Sequence, residues 1–145
     1  MNSPFSRTID YLQGDAEHIA CADNTFDAAM VGFGIRNLTH LEQGFREMHR
    51  VLKPGGKLMC LEFSEPVSGW FRALYDFYSF YIMPTVGALL AGSRHAYTYL
   101  PDSSENFLRA EDLAAALRAA GFLEVGFERR MVGTMAVHWG RKPAA

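Results

Sequence analysis

Cysteine is scarce in this sequence, and neither sign of charge is in clear surplus. The two cysteines, Cys21 and Cys60, lie in apolar surroundings and are too far apart for a metal motif, which indicates buried thiols in a reducing cytoplasm. Lysine and arginine number 14 against 16 aspartate and glutamate residues, giving a formal net charge of -2. This balance gives no sign of a nucleic-acid partner, and no metal site is predicted.

Long apolar runs are also missing. The most apolar stretch, FYIMPTVGALLAG, is broken by Pro84 and Gly87 and is too short to span a bilayer. The opening residues, MNSPFSRTID, contain no apolar segment of the kind found in signal peptides. Because 49% of the 145 residues are hydrophobic, the sequence predicts a single cytoplasmic domain over residues 1–145 with a core of its own.

Strand-like and helix-like segments alternate along the chain. Residues 26–33, FDAAMVGF, form a nearly continuous apolar run, as expected for a strand covered on both faces in a parallel sheet. Strands that alternate with helices predict an α/β fold with an open sheet. The other predicted strands are 9–14, 57–63, 123–130 and 134–141, the last two forming a hairpin, and the predicted helices are 38–53 and 109–122. The apolar stripe of an amphipathic helix predicts the first of these helices, and it consists of Leu38, Leu41, Phe45, Met48 and Leu52.

The ends of the two predicted helices carry recognisable signals. Thr39 and Glu42 have the spacing of a capping box at the start of the first helix, and Lys53 places a cation in its last turn before the PGG stop. Gly121 is predicted to lie just past the end of the second helix, where a left-handed backbone is common.

The segment 64–108 is predicted to be a helical insert rich in aromatic residues. Residues 70–83, WFRALYDFYSFYIM, contain seven aromatic side chains, most of them at helical spacing. One interpretation is a helix packed on the sheet, because aromatic stripes are usually part of a core. The alternative is a helical lid that forms one wall of a pocket for a large apolar substrate.

Polar residues follow three of the predicted strands, in QGDAEHI, GFGIRN and EFSEP. In open α/β sheets ligands bind beyond the carboxyl ends of the strands, so these segments are expected to share one edge. Asp15 could accept hydrogen bonds from a ligand or serve as an ordinary turn residue, and Gly32 would let a ligand lie against the backbone. Arg36 is either a polar group of this site or an arginine at the surface or at a helix cap. Asn37 either orients a hydroxyl group or supports the following helix.

Other titratable residues give weaker signals. A catalytic role for Glu62 or Glu65, which follow the third of these strands, is the less favoured interpretation. None of the five histidines has a neighbour that suggests a catalytic base, and His138 on a late strand is expected to face the core.

The motifs FGIRN, REMHRVLKPGG and LEF, with YDFYSF further on, resemble the ubiquinone/menaquinone biosynthesis C-methyltransferases of the UbiE type. The resemblance covers residues 9–142. It implies a class I methyltransferase fold, which is Rossmann-like and mostly parallel with an antiparallel strand near the carboxyl terminus. It also implies S-adenosyl-L-methionine as the cofactor and a polyprenylated quinol as the substrate, methylated at a ring carbon.

The resemblance also implies roles for individual residues. Asp15 and Ala16 are expected beside the adenine, and Gly32 lines the cofactor where some relatives have serine. Arg36 is expected at the acceptor ring, where its charge would stabilise a developing phenolate, with Asn37 orienting a hydroxyl group. The substrate side is predicted to include Tyr75, Asp76 and Tyr78.

One part of the family pattern has no counterpart among these residues, namely the glycine-rich cofactor loop and the acidic residue for the ribose. Gly32 and Gly34 follow the wrong strand to form that loop. We therefore expect half a cofactor site, in either a fragment or a shortened relative. Two alternatives stay open, a methyltransferase of another lipophilic acceptor such as a sterol or phospholipid, and a non-enzymatic remnant that binds an apolar ligand or a partner.

The first two strands of the family pattern also have no counterpart among these residues, and this predicts assembly. Without them the edge of the strand at 26–33 is uncovered, and an uncovered apolar edge pairs readily with another chain. We expect a homodimer in the cytoplasm, with peripheral contact with the inner membrane left open.

Overall fold

Four strands form one mixed sheet in the computed structural model, which describes residues 10–64, 69–70, 77 and 109–144. β1 and β2 run parallel, whereas β4 is antiparallel to both β2 and β3, and the order across the sheet is β1-β2-β4-β3. The predicted α/β fold with an antiparallel strand near the carboxyl terminus is confirmed. The strands are β1 (Phe26–Gly32), β2 (Leu52–Phe63), β3 (Leu123–Arg130) and β4 (Met135–Arg141), and the long described helices are α1 (Leu41–Val51) and α2 (Ala110–Ala119).

α1 packs against β2, α2 packs against β3 and β4, and the two helices contact each other to form a core on one face of the sheet. In α1 the predicted stripe is confirmed, since Phe45 and Met48 are buried, and Leu113 and Leu117 of α2 lie in the same cluster. Burial of such an amphipathic face supplies most of a helix's stability in a protein. The cluster contains Ile35, Phe45, Met48, Leu52, Leu58, Cys60, Leu113, Leu117 and Phe122.

The start of β2 differs from the prediction. The strand begins at Leu52, five residues earlier than expected, and Lys53 lies in the strand and not in α1. Phe26 pairs with Leu52 but Ala28 pairs with Lys57, so residues 53–56 form a bulge. Gly55 and Gly56 do not form an isolated turn, because both are hydrogen-bonded to Lys142. Gly55 N–H donates to the Lys142 carbonyl oxygen at 3.0 Å, and Lys142 N–H donates to the Gly56 oxygen at 2.8 Å.

The carboxyl end of α2 matches the prediction. Gly121 has a φ of +97°, a conformation that costs glycine little. Its N–H donates to the Arg118 oxygen and that of Phe122 to the Leu117 oxygen, which is the hydrogen-bond pattern of a Schellman motif. The hairpin of β3 and β4 is also confirmed, with a 3-10 turn at Met131–Gly133 between the strands.

β1 has the predicted position but not the predicted burial. Only Ala29 and Val31 among its seven residues are half-buried, and 80% of Met30 is exposed. The face of the sheet opposite the helices carries Met30, which pairs with Met59, and Met59 pairs with Trp139. Three exposed apolar side chains therefore lie in a row across this face. The expected cover on both faces is therefore absent among the described residues.

The predicted strand at 9–14 is wrong for its described part. Residues 10–14 have no regular secondary structure, and Tyr11 and Leu12 are more than 80% exposed. A strand needs a neighbour to satisfy its backbone N–H and C=O groups, and no described strand pairs with this segment.

Only a small part of the aromatic insert is described. Residues 69, 70 and 77 have helical backbone, and Trp70 and Phe77 are exposed. The rest of the segment from 65 to 108 lies outside the described residues, so the choice between lid and core helix stays a prediction. None of the described helices has the length and apolar character needed to cross a membrane.

Candidate functional site

Two polar segments meet at the start of α1 because Glu17 joins them. Glu17 is only 8% exposed, and its Oε1 accepts the backbone N–H groups of Thr39 at 2.6 Å and His40 at 2.9 Å. Its Oε2 accepts a hydrogen bond from His40 Nδ1 at 2.9 Å. The predicted capping box is wrong, since His40 holds the cap position and no side chain of the helix itself caps the end. The carboxylate of Glu17 instead satisfies the free N–H groups there.

This link brings several of the predicted site residues to one edge of the sheet. Asp15 and Ala16 precede Glu17 directly, while the 3-10 turn Ile35–Asn37 leads from β1 into α1. Both segments therefore lie near the carboxyl end of β1, as the sequence predicted. Tyr75, Asp76 and Tyr78 lie outside the described residues.

The pKa of Glu17 is lowered, first by the backbone N–H of His40 and then by the His40 side chain. A carboxyl group whose pKa is lower in the folded state than in the unfolded state stabilises the protein at pH values above the unfolded-state pKa. This stabilisation is lost as the pH falls through the folded-state pKa.

We expect Glu17→Gln to lower the melting temperature by about 5 °C near neutral pH, because a charged acceptor at a helix start is lost. The difference from the wild type should shrink as pH falls through the lowered pKa of Glu17, because the carboxyl group is then protonated in the folded protein as well. Glu42→Gln is the matched control, since Glu42 lies exposed in the first turn of α1 and pairs with Arg46 on the surface. A difference that stays constant with pH would contradict this account.

Asp15 and Ala16 differ in exposure. Asp15 is exposed, with one carboxylate oxygen accepting the Glu17 N–H at 2.8 Å and the other 3.4 Å from His18 Nδ1. Asp15 thus orders its own turn and still presents its carboxylate to solvent. Ala16 is half-buried and packs against the core.

The carboxyl end of β1 is open and strained. An added Cβ on Gly32 would have no atom of the described residues within 4 Å, which leaves room there for a ligand against the backbone. Phe33 has a φ of +57°, which is unusual for a bulky residue, while its N–H donates to the Leu61 oxygen at 2.9 Å. Conformations of this kind cluster at functional sites.

Arg36 is buried at the same edge. Only 8% of its side chain is exposed, and Nη1 lies 3.2 Å from Oε1 of Glu62, which is fully buried at the end of β2. The Arg36 guanidinium stacks on the Phe63 ring at 4.9 Å, and the Phe33 ring lies 4.8 Å from that of Phe63. The surface-cation interpretation of Arg36 is therefore wrong. Asn37 is exposed beside it.

Glu17 and Glu62 are the residues that the sequence reasoning undervalued. A signal for Glu62 was available, because Leu58, Cys60 and Glu62 alternate along β2 and so must face the same buried side. A buried carboxylate needs a cation or several N–H donors, and Arg36 provides both kinds of partner. No comparable local pattern reveals Glu17, whose partners lie more than 20 residues away.

The other reactive side chains in the described part of the chain do not contribute to this edge. His138 is buried as predicted, its Nε2–H donates to the Ala110 oxygen at 2.9 Å, and burial lowers its pKa. Burial raises the pKa of the Cys60 thiol to about 12, with a contribution from Glu62, so this thiol is inert. Among the described residues no cluster could hold a metal ion.

A model of the ubiE/COQ5 methyltransferase family matches residues 1–142. The chain belongs to this family. It is 41% identical to the ubiquinone/menaquinone biosynthesis C-methyltransferase UbiE of Haemophilus ducreyi, over 92% of this chain and 52% of that protein. It is 42% identical to the mitochondrial 2-methoxy-6-polyprenyl-1,4-benzoquinol methylase of Bos taurus, over 92% of this chain and 41% of the relative. The chain thus spans about half the length of these ubiE/COQ5 relatives.

Solved structures share the fold at low identity. A SAM-dependent methyltransferase from Thermotoga maritima matches with a TM-score of 0.60 and 22% identity, covering 90% of this chain and 63% of that one. The [4+2]-cyclase SpnF matches with a TM-score of 0.63 and 23% identity, over 94% and 56%. The predicted class I methyltransferase fold is confirmed, but the presence of a cyclase means that the fold alone assigns no reaction.

Membership of the ubiE/COQ5 family implies S-adenosyl-L-methionine as the cofactor. The described residues fit one side of such a molecule. The exposed carboxylate of Asp15 can accept hydrogen bonds from an amino or hydroxyl group, and the open space at Gly32 allows close approach to the backbone.

Proposed function

We propose that this chain is part of an S-adenosyl-L-methionine-dependent C-methyltransferase that methylates a ring carbon of a polyprenylated quinol in ubiquinone or menaquinone biosynthesis. The observation that carries the proposal is the buried Arg36 guanidinium stacked on Phe63, with Phe33 alongside, at the carboxyl edge of β1 and β2. A fixed cation beside phenyl rings suits an aromatic ring that develops negative charge on an oxygen. The two relatives named above are a C-methyltransferase of ubiquinone and menaquinone biosynthesis and a methylase of a polyprenylated benzoquinol, which supports this substrate class.

The cofactor supplies an electrophilic methyl group when bound. The acceptor carbon must supply the electron pair for the new carbon–carbon bond, and it does so better when a neighbouring ring hydroxyl has lost its proton. Arg36 stabilises the resulting oxygen anion in a site with little water, where such an interaction is strong. The methyl–sulfur bond would break as the new bond forms, with its electron pair left on the sulfur, and the ring would recover its aromaticity by releasing the proton of the methylated carbon to water.

The other residues have supporting roles in this proposal. Asp15, Ala16 and Gly32 hold the cofactor, and Asn37 orients a ring hydroxyl. Tyr75, Asp76 and Tyr78 line the substrate side.

The test is methyl transfer by the protein produced from its complete coding sequence. We expect mass spectrometry to show a methylated benzoquinol or naphthoquinol carrying a prenyl tail, and no methylated sterol or phospholipid. Methylation of a sterol or phospholipid alone would support the other lipophilic acceptor. Absence of transfer to every acceptor, with the cofactor bound, would favour a non-enzymatic binding protein.

We further propose a cytoplasmic protein with peripheral membrane contact, because polyprenylated quinols reside in the bilayer. Cell fractionation should recover part of the protein with the inner membrane, released by a salt wash. Recovery in the soluble fraction alone would contradict the membrane contact.

The two edges of the described sheet support a proposal about assembly. β3, at one edge, has charged residues at half of its eight positions, as strands exposed to solvent usually do. β1, at the other edge, has Asp27 alone among uncharged residues and is built like an interior strand. We propose that β1 pairs with β1 of a second copy in a symmetric dimer.

We expect sedimentation velocity of the 145-residue chain, across a dilution series, to show a dimer. Met30→Lys should weaken this dimer by at least about tenfold, because a lysine on an edge strand opposes pairing with another strand. Met131→Lys is the matched control, since Met131 is 66% exposed in the turn beyond β3. A wild-type monomer at high concentration, or equal effects of the two variants, would rule out this dimer.

A further inference from the structure

Glu62 is the most deeply buried carboxylate among the described residues, with none of its surface exposed. Its Oε1 accepts the Arg36 Nη1–H at 3.2 Å and the Phe63 backbone N–H at 3.2 Å. Its Oε2 lies 3.4 Å from the Arg36 backbone N–H. Both oxygens therefore already accept N–H donors, which leaves Glu62 poorly placed to remove a proton from a substrate.

The same contacts fix the orientation of Arg36. Glu62 holds both the backbone and the guanidinium of this residue, and Phe63 covers one face of the guanidinium plane. Two attachment points and a stacked ring allow the planar group little rotation.

The fixed guanidinium has a buried N–H group that lacks an acceptor among the described residues. Arg36 Nε is buried and has no hydrogen-bond partner in the described part of the chain. A buried N–H without a partner is costly and uncommon, so an acceptor atom is expected at this position when the protein works.

We propose that Glu62 is a positioning residue, which holds the Arg36 guanidinium so that its Nε–H binds the ionised hydroxyl oxygen of an aromatic ring. The ligand class is a phenol or hydroquinone, because the remaining neighbours of the guanidinium are the rings of Phe63 and, beyond it, Phe33. The inference rests on the proposed function for the identity of the acceptor, but ring binding can be measured without methyl transfer.

The direct test is the Arg36 Nε–H resonance in the ¹⁵N-arginine-labelled protein from the complete coding sequence, assigned by its loss in Arg36→Lys. Hydroquinone is the probe. We expect this resonance to shift on addition of hydroquinone in the wild type and to be unmoved in Glu62→Gln, in which the charge-assisted contact with the guanidinium is lost. A wild-type resonance that does not respond, or an equal response in Glu62→Gln, would overturn the inference.

Kinetics give a second readout. Glu62→Gln should lower kcat for the quinol by about 10–100-fold, as is typical when an orienting partner is removed, with little change in KM for the cofactor. Glu42→Gln, an exposed carboxylate on α1, should leave both unchanged. If Glu62→Gln does not fold, Glu62→Asp replaces it as the test variant, because aspartate keeps the negative charge but is one methylene shorter and so moves the charge away from Arg36. A full wild-type kcat in Glu62→Asp would contradict the positioning role.

The two proposals can fail separately. A hydroquinone-dependent shift of the Arg36 resonance without methylation of any quinol would sink the proposed function and support the inference. Quinol methylation by the wild type, with the same kcat in Glu62→Gln, would support the proposed function and overturn the inference about Glu62.

Discussion

Arg36→Ala, in the protein from the complete coding sequence, is expected to lower kcat by about 100-fold or more while changing the Kd of S-adenosyl-L-methionine by less than about threefold. Loss of one preorganised donor to a developing oxyanion typically has this effect on turnover. The cofactor affinity should survive because Asp15, Ala16 and Gly32, and not Arg36, are assigned to the cofactor. Steady-state kinetics with calorimetry for the cofactor measure both quantities. Unchanged turnover with weakened cofactor binding would reverse the assignment.

The same substitution is expected to destabilise the protein, and this effect must be separated from catalysis. Removing Arg36 leaves Glu62 buried without its cation, which costs about 3–5 kcal/mol in unfolding free energy. The double variant Arg36→Met with Glu62→Leu removes both charges and should recover most of that loss, because an apolar pair of similar size replaces a buried ion pair. It should recover none of the turnover. Arg46→Ala, which breaks an exposed pair, is the control for both measurements.

The 145-residue chain produced by itself is expected to bind S-adenosyl-L-methionine with a Kd weaker than about 100 µM. The family resemblance implies that a glycine-rich loop and a ribose carboxylate make most of the polar contacts with the cofactor, and the 145 residues contain neither. Under the proposed function, Asp15 and Gly32 contact one side of the cofactor only. Isothermal calorimetry on the purified chain measures this, with the UbiE relative of Haemophilus ducreyi as the positive control. A Kd in the low micromolar range would show that the contacts come from other residues of this chain.

Local patterns predicted the elements whose partners are close in sequence. The stripe of Leu41, Phe45 and Met48 predicted α1, and Gly121 predicted the end of α2, because each signal lies within a few residues of the structure that it specifies. The hairpin of β3 and β4 was predicted for the same reason.

Contacts between distant segments were predicted less well. The start of α1 is capped by Glu17 and not by the local Thr39, and β2 begins early because residues 53–56 meet the segment around Lys142. The strand predicted from residue 9 lacks a neighbour in the described sheet, and no local pattern could show that. The same distinction applies to the site. The ends of the predicted strands located Gly32 and Arg36, but only the folded chain revealed that Glu62 is the partner of Arg36.

The position of β2 between β1 and β4 has a consequence for amide hydrogen exchange. Leu58, Cys60 and Leu61 pair with β1 on one side and β4 on the other, and Leu58 and Cys60 lie beneath the helices. Their amides can exchange only when the whole sheet opens, so they should report the global unfolding free energy. The amides of β1 that point away from β2 lack this protection and should exchange through small local openings. A second strand laid along that edge would slow them selectively, which makes their exchange rates a residue-level record of whatever pairs with β1.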